Sequence, residues 1–304
     1  MLNNKPLLAH LAMLGACTFW GLMSPIGKDA MLHGVSGVAM VSFRVLGGAM
    51  LFWLSSLFVA RESVPLRHKL QFAAAAIFGL VFNQCGFTIG LSLTSPINAS
   101  IVTTSMPIFA MILAAVILRE PITSKKVVGV LLGCSGAVML ILTSAAAANS
   151  KVGDIRGDLM VLGAQFSYAL FLSLFRPLVQ QYSVFTVNKW MFLWASLLIW
   201  PFSWREVAGL PWATIAPTVW LETAYVVVFG TFVSYVLVIR AQKVLRPTVV
   251  SAYNYVQPLL AVIVSVAMGI GVFRWSHGVA VLLVFVGVWL INISRSRRDM
   301  ERKT

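Results

Sequence analysis

Charge is what this chain has least of. Only 11% of its 304 residues are Asp, Glu, Lys or Arg, and only nine are acidic, where a soluble domain carries about 25% charged residues. Four histidines and three cysteines complete a thin stock of catalytic and metal-ligating groups. Cys17, Cys85 and Cys134 each lie inside an apolar run. They are odd in number and lack disulfide or metal spacing, so they read as small buried apolar groups. The histidines His10, His33, His68 and His277 fall near the ends of apolar stretches or in loops. The run Gly133-Cys134-Ser135-Gly136 matches an intramembrane serine protease pattern, but that chemistry needs a mid-membrane histidine base. Paired carboxylates and Cys/His clusters are lacking too. We therefore assign no catalytic residue and no metal site, and expect no cofactor. No connection between apolar stretches is long enough for the soluble output domain of a sensory protein.

What the chain has in excess is apolar surface. Hydrophobic residues make up 59%, and the mean hydropathy is +0.89. That excludes water-soluble enzymes, disordered chains and nucleic-acid readers, despite a net charge of +14. A helix crossing about 30 Å of hydrocarbon needs about 20 apolar residues. Ten such stretches occur, at 8–27, 36–59, 70–92, 97–118, 126–143, 158–180, 185–203, 217–239, 248–271 and 276–293. The expected fold is an all-α integral membrane protein with ten transmembrane helices. Leu14-Gly15-Ala16-Cys17 is similar to a lipoprotein cleavage box, yet the apolar run continues through Phe19, Trp20, Leu22 and Met23. A signal h-region is shorter, so a retained first span is expected.

Basic residues set the orientation. With the N-terminus cytoplasmic, 17 of the 23 Lys and Arg fall on the cytoplasmic side, five fall outside, and Arg44 lies within a span. The positive-inside rule then puts both termini in the cytoplasm. The longest interior connection, about 144–157, splits the chain into five spans and five, with halves 1–147 and 148–304, the second ending in a basic tail. Pro107 aligned with Pro258 also brings Pro96 onto Pro247, Gly136 onto Gly287, Ser100 onto Ser251 and Thr103 onto Asn254. An odd number of spans per copy makes the second copy enter from the opposite face. Two inverted five-helix repeats are a transporter architecture, with the site at mid-membrane between the copies.

Certain segments carry a family likeness. Trp20-Gly21-Leu22-Met23-Ser24-Pro25-Ile26-Gly27-Lys28 resembles the first-span motif of the drug/metabolite transporter superfamily, in its ten-helix EamA-like branch. Residues 90–140, with mid-span Pro107 and with Glu120 closing the fourth span, are similar to that family's third-to-fifth-span signature, and 229–291 resembles the second copy. A glutamate common at the end of the ninth span is replaced here by Gly269-Ile270-Gly271. The resemblance implies an exporter or importer in the inner membrane of a bacterial cell. It leaves the solute open among amino acids, sugars, nucleotides and drugs. Our reading is a transporter of a small organic metabolite, an amino acid or related compound, by alternating access through a central cavity. The alternatives are a drug-type efflux pump and a membrane-embedded enzyme. The expected partners are the small-molecule solute and membrane lipid, with no nucleic acid. The oligomeric state, monomer or homodimer, stays open.

Polar residues inside the spans are the candidate lining. Proline frees a helical carbonyl, which protein or cavity water must satisfy at membrane depth. Ser100, Thr103 and Thr104 precede Pro107, and Ser251, Asn254, Tyr255 and Gln257 precede Pro258. Asn83 and Gln84, followed by Phe87 and Thr88, lie in the third span; Gln165, Ser167 and Tyr168 in the sixth; Thr231, Ser234 and Tyr235 in the eighth; Trp20 and Ser24 in the first. Such a set suits a neutral or zwitterionic solute with an apolar group. Interhelical hydrogen bonding is the other use of the same side chains. Arg44 and Glu222 are the intramembrane charges. Mutual pairing, contact between Arg44 and a solute carboxylate, and snorkelling to the interface all remain open for them. The first span has no carboxylate, so proton antiport of the small multidrug exporter type is unsupported, while uniport or exchange needs none. Lys28 and Asp29 read as solvated loop charges. Gly129 and Gly133 form a GxxxG, read as an internal packing site in preference to a dimer face.

Overall fold

Residues 5–94, 96–148, 154–257, 260 and 275–294 are described by the structure, a computed structural model. Every regular element among them is helical. In chain order these are α1 (Lys5–Leu32), α2 (Gly37–Ser56), α3 (Leu66–Leu93), α4 (Pro96–Thr103), α5 (Met106–Leu118), α6 (Ser124–Ala148), α7 (Ile155–Leu174), α8 (Arg176–Gln181), α9 (Val184–Ala208), α10 (Pro217–Gln242), α11 (Pro247–Ala252) and α12 (Trp275–Asn292). Six stretches are long and apolar enough to cross a membrane: α1, α2, α3, Ile101–Leu118, α7 and α10. The protein is therefore a multi-pass membrane protein. The outer part of the expected ninth span lies outside the described residues. Large apolar side chains face outward, among them Phe202 at 86%, Val116 at 73% and Leu221 at 71% exposure. Lipid, as apolar as they are, removes the penalty that water would impose.

Local chemistry sets several helix boundaries. Ser36, Asp154 and Ser183 cap α2, α7 and α9, accepting from the amides of Ala39, Arg156 and Thr186 at 3.2, 2.8 and 3.2 Å. Beyond α1, Gly34 takes φ +117°, a conformation that suits glycine. Pro107 does not kink one continuous span. It stands in the first turn of α5, after a break at Thr104 and Ser105 that ends α4. Proline is tolerated there because first-turn amides have no intrahelical partner.

Helix pairing follows one pattern. The helix α1 packs on α10, α7 on α3, α2 on α9, α5 on α11 and α6 on α12. Each pair joins the first part of the chain to the second. The irregularities match as well: α3 winds into a π-turn at Ile77–Phe82, and α10 does so at Val228–Val233, 151 positions later. The break after α4 has its counterpart in the 3-10 turn Tyr253–Tyr255 that follows α11. Glycines allow the closest approaches. A Cβ on Gly129 would sit 2.7 Å from the Gly287 carbonyl, and one on Gly136 2.7 Å from that of Ala280. Gly133 faces the Tyr255 ring. This glycine face is used within the chain.

Candidate functional site

Between the two sets of helices lies a cavity of about 60 Å³. Trp20 and Met23 of α1, Arg44 of α2, Asn83, Gln84 and Phe87 of α3, and Thr103 of α4 line one part. Gln165 and Tyr168 of α7, Tyr235 of α10, and Asn254 and Gln257 beyond α11 line the other. A water needs roughly 10–15 Å³ of such space, so the cavity has room for a few. Drug-sized ligands occupy pockets of about 300–1,000 Å³. In this structure the space is smaller than such a pocket.

The two π-turns form part of the frame. Gly79 and Gly230 each occupy the third position of their turn. A Cβ on Gly79 would lie 2.8 Å from the Phe171 ring, and one on Gly230 2.6 Å from the sulfur of Met23. Their carbonyls receive donors from the opposite half: Trp20 Nε1 donates to Gly230 at 3.0 Å, and the Tyr235 hydroxyl to Gly79 at 3.4 Å. Tyr235 also accepts from Gln84 Nε2 at 3.3 Å. The Trp20 indole lies edge-on between the Tyr168 and Tyr235 rings, with centroids at 6.3 and 6.1 Å.

The remaining polar groups differ in what they have free. Asn83 donates to the Ala164 carbonyl at 3.1 Å, and Thr103 to the Ala99 carbonyl at 2.7 Å. Gln257 donates to Asn254 Oδ1 at 2.8 Å, and Asn254 donates to the Met106 sulfur. Arg44 is 4% exposed. Its Nε and Nη1 donate to the hydroxyls of Thr231 and Thr88, at 3.1 and 2.9 Å. None of the ion pairs among the described residues includes it. Glu222 is in none of these ion pairs either, and the charge it feels most is that of a second acid, Asp29.

Other candidates lie elsewhere. Ser234 donates to the Phe229 carbonyl at 2.7 Å, closing the π-turn, and Ser251 to that of Thr248 at 2.9 Å. Neither lines the cavity, and nor does Pro107, buried at the start of α5. Pro258 and the side chain of Ser100 lie outside the described residues. Lys28 is not a solvated loop charge. It sits on α1, and its ammonium reaches the carbonyls of Leu91, Ser92 and Thr94 at 2.8, 3.1 and 3.3 Å. It thus satisfies the carbonyls that the end of α3 leaves without partners. Met23 was not among the expected lining. It is one apolar residue among many, and only its seat under Gly230 distinguishes it.

At the cytoplasmic side of the expected topology, Glu120 is buried between Lys126 at 3.1 Å and Arg176 at 3.5 Å. Thr248 donates to it at 3.5 Å. The first half is tied there to the second. No group of three or more His, Cys, Asp or Glu gathers among the described residues to hold a metal.

Comparison with known proteins agrees with this architecture. The model of the EamA-like transporter family matches twice, over residues 7–142 and 155–293. The transporter YetK of Bacillus subtilis is 22% identical, over 98% of this chain and 91% of its own. The transporter YyaM of the same organism is 24% identical over 92% of each chain. A WAT1-related protein of Arabidopsis thaliana is 24% identical over 91% of this chain and 82% of its own. A solved crystal structure shares the fold with a TM-score of 0.74 at 15% identity, over 97% of this chain and 99% of that one.

Proposed function

This chain belongs to the EamA-like transporter family, and from that premise we propose that it moves a small organic metabolite, an amino acid or related compound, by alternating access through the cavity between its halves. It is a membrane transporter and not an enzyme. The observation that carries the proposal is the convergence of polar and aromatic side chains from both halves on one mid-chain cavity. Two π-turns, 151 positions apart, flank it. A π-turn holds one residue more than an α-turn, and such turns recur at functional sites. Loss of the extra winding on one side would shift α3 or α10 against its neighbours and open the cavity to one face.

The finer architecture belongs to the same proposal. Ten spans in two inverted copies, 1–147 and 148–304, are supported by the twofold family match and by helix pairing that exchanges equivalent partners. Placement of both termini in the cytoplasm rests on the distribution of Lys and Arg, and placement in a bacterial inner membrane rests on the family likeness. The aromatic lining also suits a drug-type substrate, but the fixed charge of Arg44 opposes organic cations. Counterflow into proteoliposomes, screened over amino acids, other carboxylates and drug-like cations, tests the activity. Uptake driven by internal unlabelled solute, and lost when Asn254 is replaced by Leu, supports it. A screen with no flux in any class overturns it. A C-terminal alkaline phosphatase fusion active outside the cytoplasm would reject the orientation, and the inverted repeat with it.

A further inference from the structure

Arg44 is a buried charge with no ion-pair partner among the described residues. The guanidinium cannot shed its proton in a protein. It is 4% exposed and faces the cavity, yet its hydrogen-bond partners are the neutral hydroxyls of Thr88 and Thr231. No carboxylate among the described residues forms an ion pair with it. A buried arginine normally finds a counter-ion, and its planar fork fits a carboxylate with two hydrogen bonds. Five N–H groups are available, and two are spent on the threonines.

Two further atoms of the same cavity are unpaired. The Tyr168 hydroxyl and Gln84 Oε1 are buried without a hydrogen-bond partner. The first can donate, the second only accept. Buried polar atoms normally have partners. A cavity presenting a cation, a hydroxyl donor and an amide acceptor is therefore complementary to a group with an acceptor anion next to an N–H donor. Trp20, Met23 and Phe87 supply the apolar remainder of the lining.

We propose that the transported solute bears a carboxylate that pairs with Arg44, with an adjacent amino group donating to Gln84 Oε1 and an apolar side group against Trp20, Met23 and Phe87. The assignment rests on the transport reading above and names its substrate class: apolar amino acids. Thr88 and Thr231 act as positioning residues, one from each half, holding the guanidinium toward the cavity. In the empty state they accept the hydrogen bonds that a solute carboxylate shares in the loaded one.

The test uses matched probes on the full chain in proteoliposomes. A cysteine replaces Asn83 in a background without Cys17, Cys85 and Cys134, and its modification by a polar thiol reagent is timed. The probes are leucine against leucinamide, phenylalanine against phenylalaninamide, 4-methyl-2-oxopentanoate against its amide, and a tetraalkylammonium cation. The acid of each pair should protect the cysteine at a concentration about 10- to 100-fold below its amide, because a site built for polar contacts rejects analogues lacking them. Arg44→Gln should erase that preference, and Arg44→Lys should retain part of it. Amino acids should protect better than the oxo acid, and Gln84→Leu should remove that difference alone. If Arg44→Gln fails to insert, the wild-type acid-to-amide ratio decides. Equal protection by acid and amide, or stronger protection by the cation, overturns the carboxylate assignment while the transport path stands. If no probe protects the cysteine and none is counterflowed, the path itself is refuted, and this assignment with it.

Discussion

Leu66–Leu93 and Pro217–Gln242 share a pattern of winding and differ in the surfaces they present. Each passes from α to π winding for six residues and back, with glycine third in the turn. Beyond the turn, the first presents Asn83 and Gln84, and both reach the cavity. The second presents Ser234, folded back on the Phe229 carbonyl, and Tyr235, which reaches the cavity. The second helices differ more sharply. Position 151 residues beyond Arg44 is Ala195, fully buried in the core. The backbone irregularities are paired and the cavity lining is not. On the proposed function that division is expected, since a swing between two faces needs matched hinges, whereas recognition of one solute needs an unsymmetrical set of groups.

The largest expected break in the comparison is at Glu120. In this copy it neutralises Lys126, which is 1% exposed; the position 151 residues later is Gly271. Glu120→Gln should cost about 3–5 kcal/mol, since it leaves a buried cation without its acid. Unfolding in detergent would measure this, and Glu120→Met with Lys126→Met should recover most of it. Next come the two π-turn glycines. Gly79→Ala should destabilise by about 1–3 kcal/mol, because the new methyl meets the ring of Phe171. Gly230→Ala meets the flexible side chain of Met23 and should cost about 1 kcal/mol or less. Equal losses would mean that the turns are not differently braced. Tyr235→Phe removes one donor to Gly79 and the acceptor of Gln84, worth about 1 kcal/mol in the same assay.

The smallest effect is expected at Glu62, outside the spans. Burial pushes its carboxyl up, but hydrogen bonds from Thr186 and Ser183, with the charge of Lys243, outweigh that and hold it below the ordinary value. A carboxyl lowered in the folded state stabilises above its unfolded pKa, and that contribution fades as pH falls through the lowered value. Glu62→Gln should therefore flatten a slight loss of thermal stability on acidification below about pH 4.3, and leave neutral stability nearly unchanged.

Much of this was legible in the sequence because it depends on local composition. Apolar length announced the six long apolar helices among the described residues, and the offset of 151 that aligns Pro96 with Pro247 is also the offset between the two π-turns. The polar candidates Asn83, Gln84, Gln165, Tyr168 and Asn254 stood out because hydrocarbon tolerates few polar groups. The π-turns did not stand out: Gly79 and Gly230 read as ordinary small residues, and the turns become visible only in backbone winding. Lys28 was misread because its partners lie some 63 to 66 positions away. The setting of Arg44, between Thr88 and Thr231 at separations of 44 and 187 residues, is likewise a product of packing that no local pattern encodes.

The central claim is that one cavity between unlike halves is reached in turn from each face. A single cysteine in place of Thr103, in protein without its native cysteines, tests it most directly. Cells and inverted vesicles are treated with a membrane-impermeant thiol reagent. The account predicts modification from either side, slowed in both cases by a transported carboxylate such as leucine. Modification from one side only, at a rate that no solute changes, would contradict it.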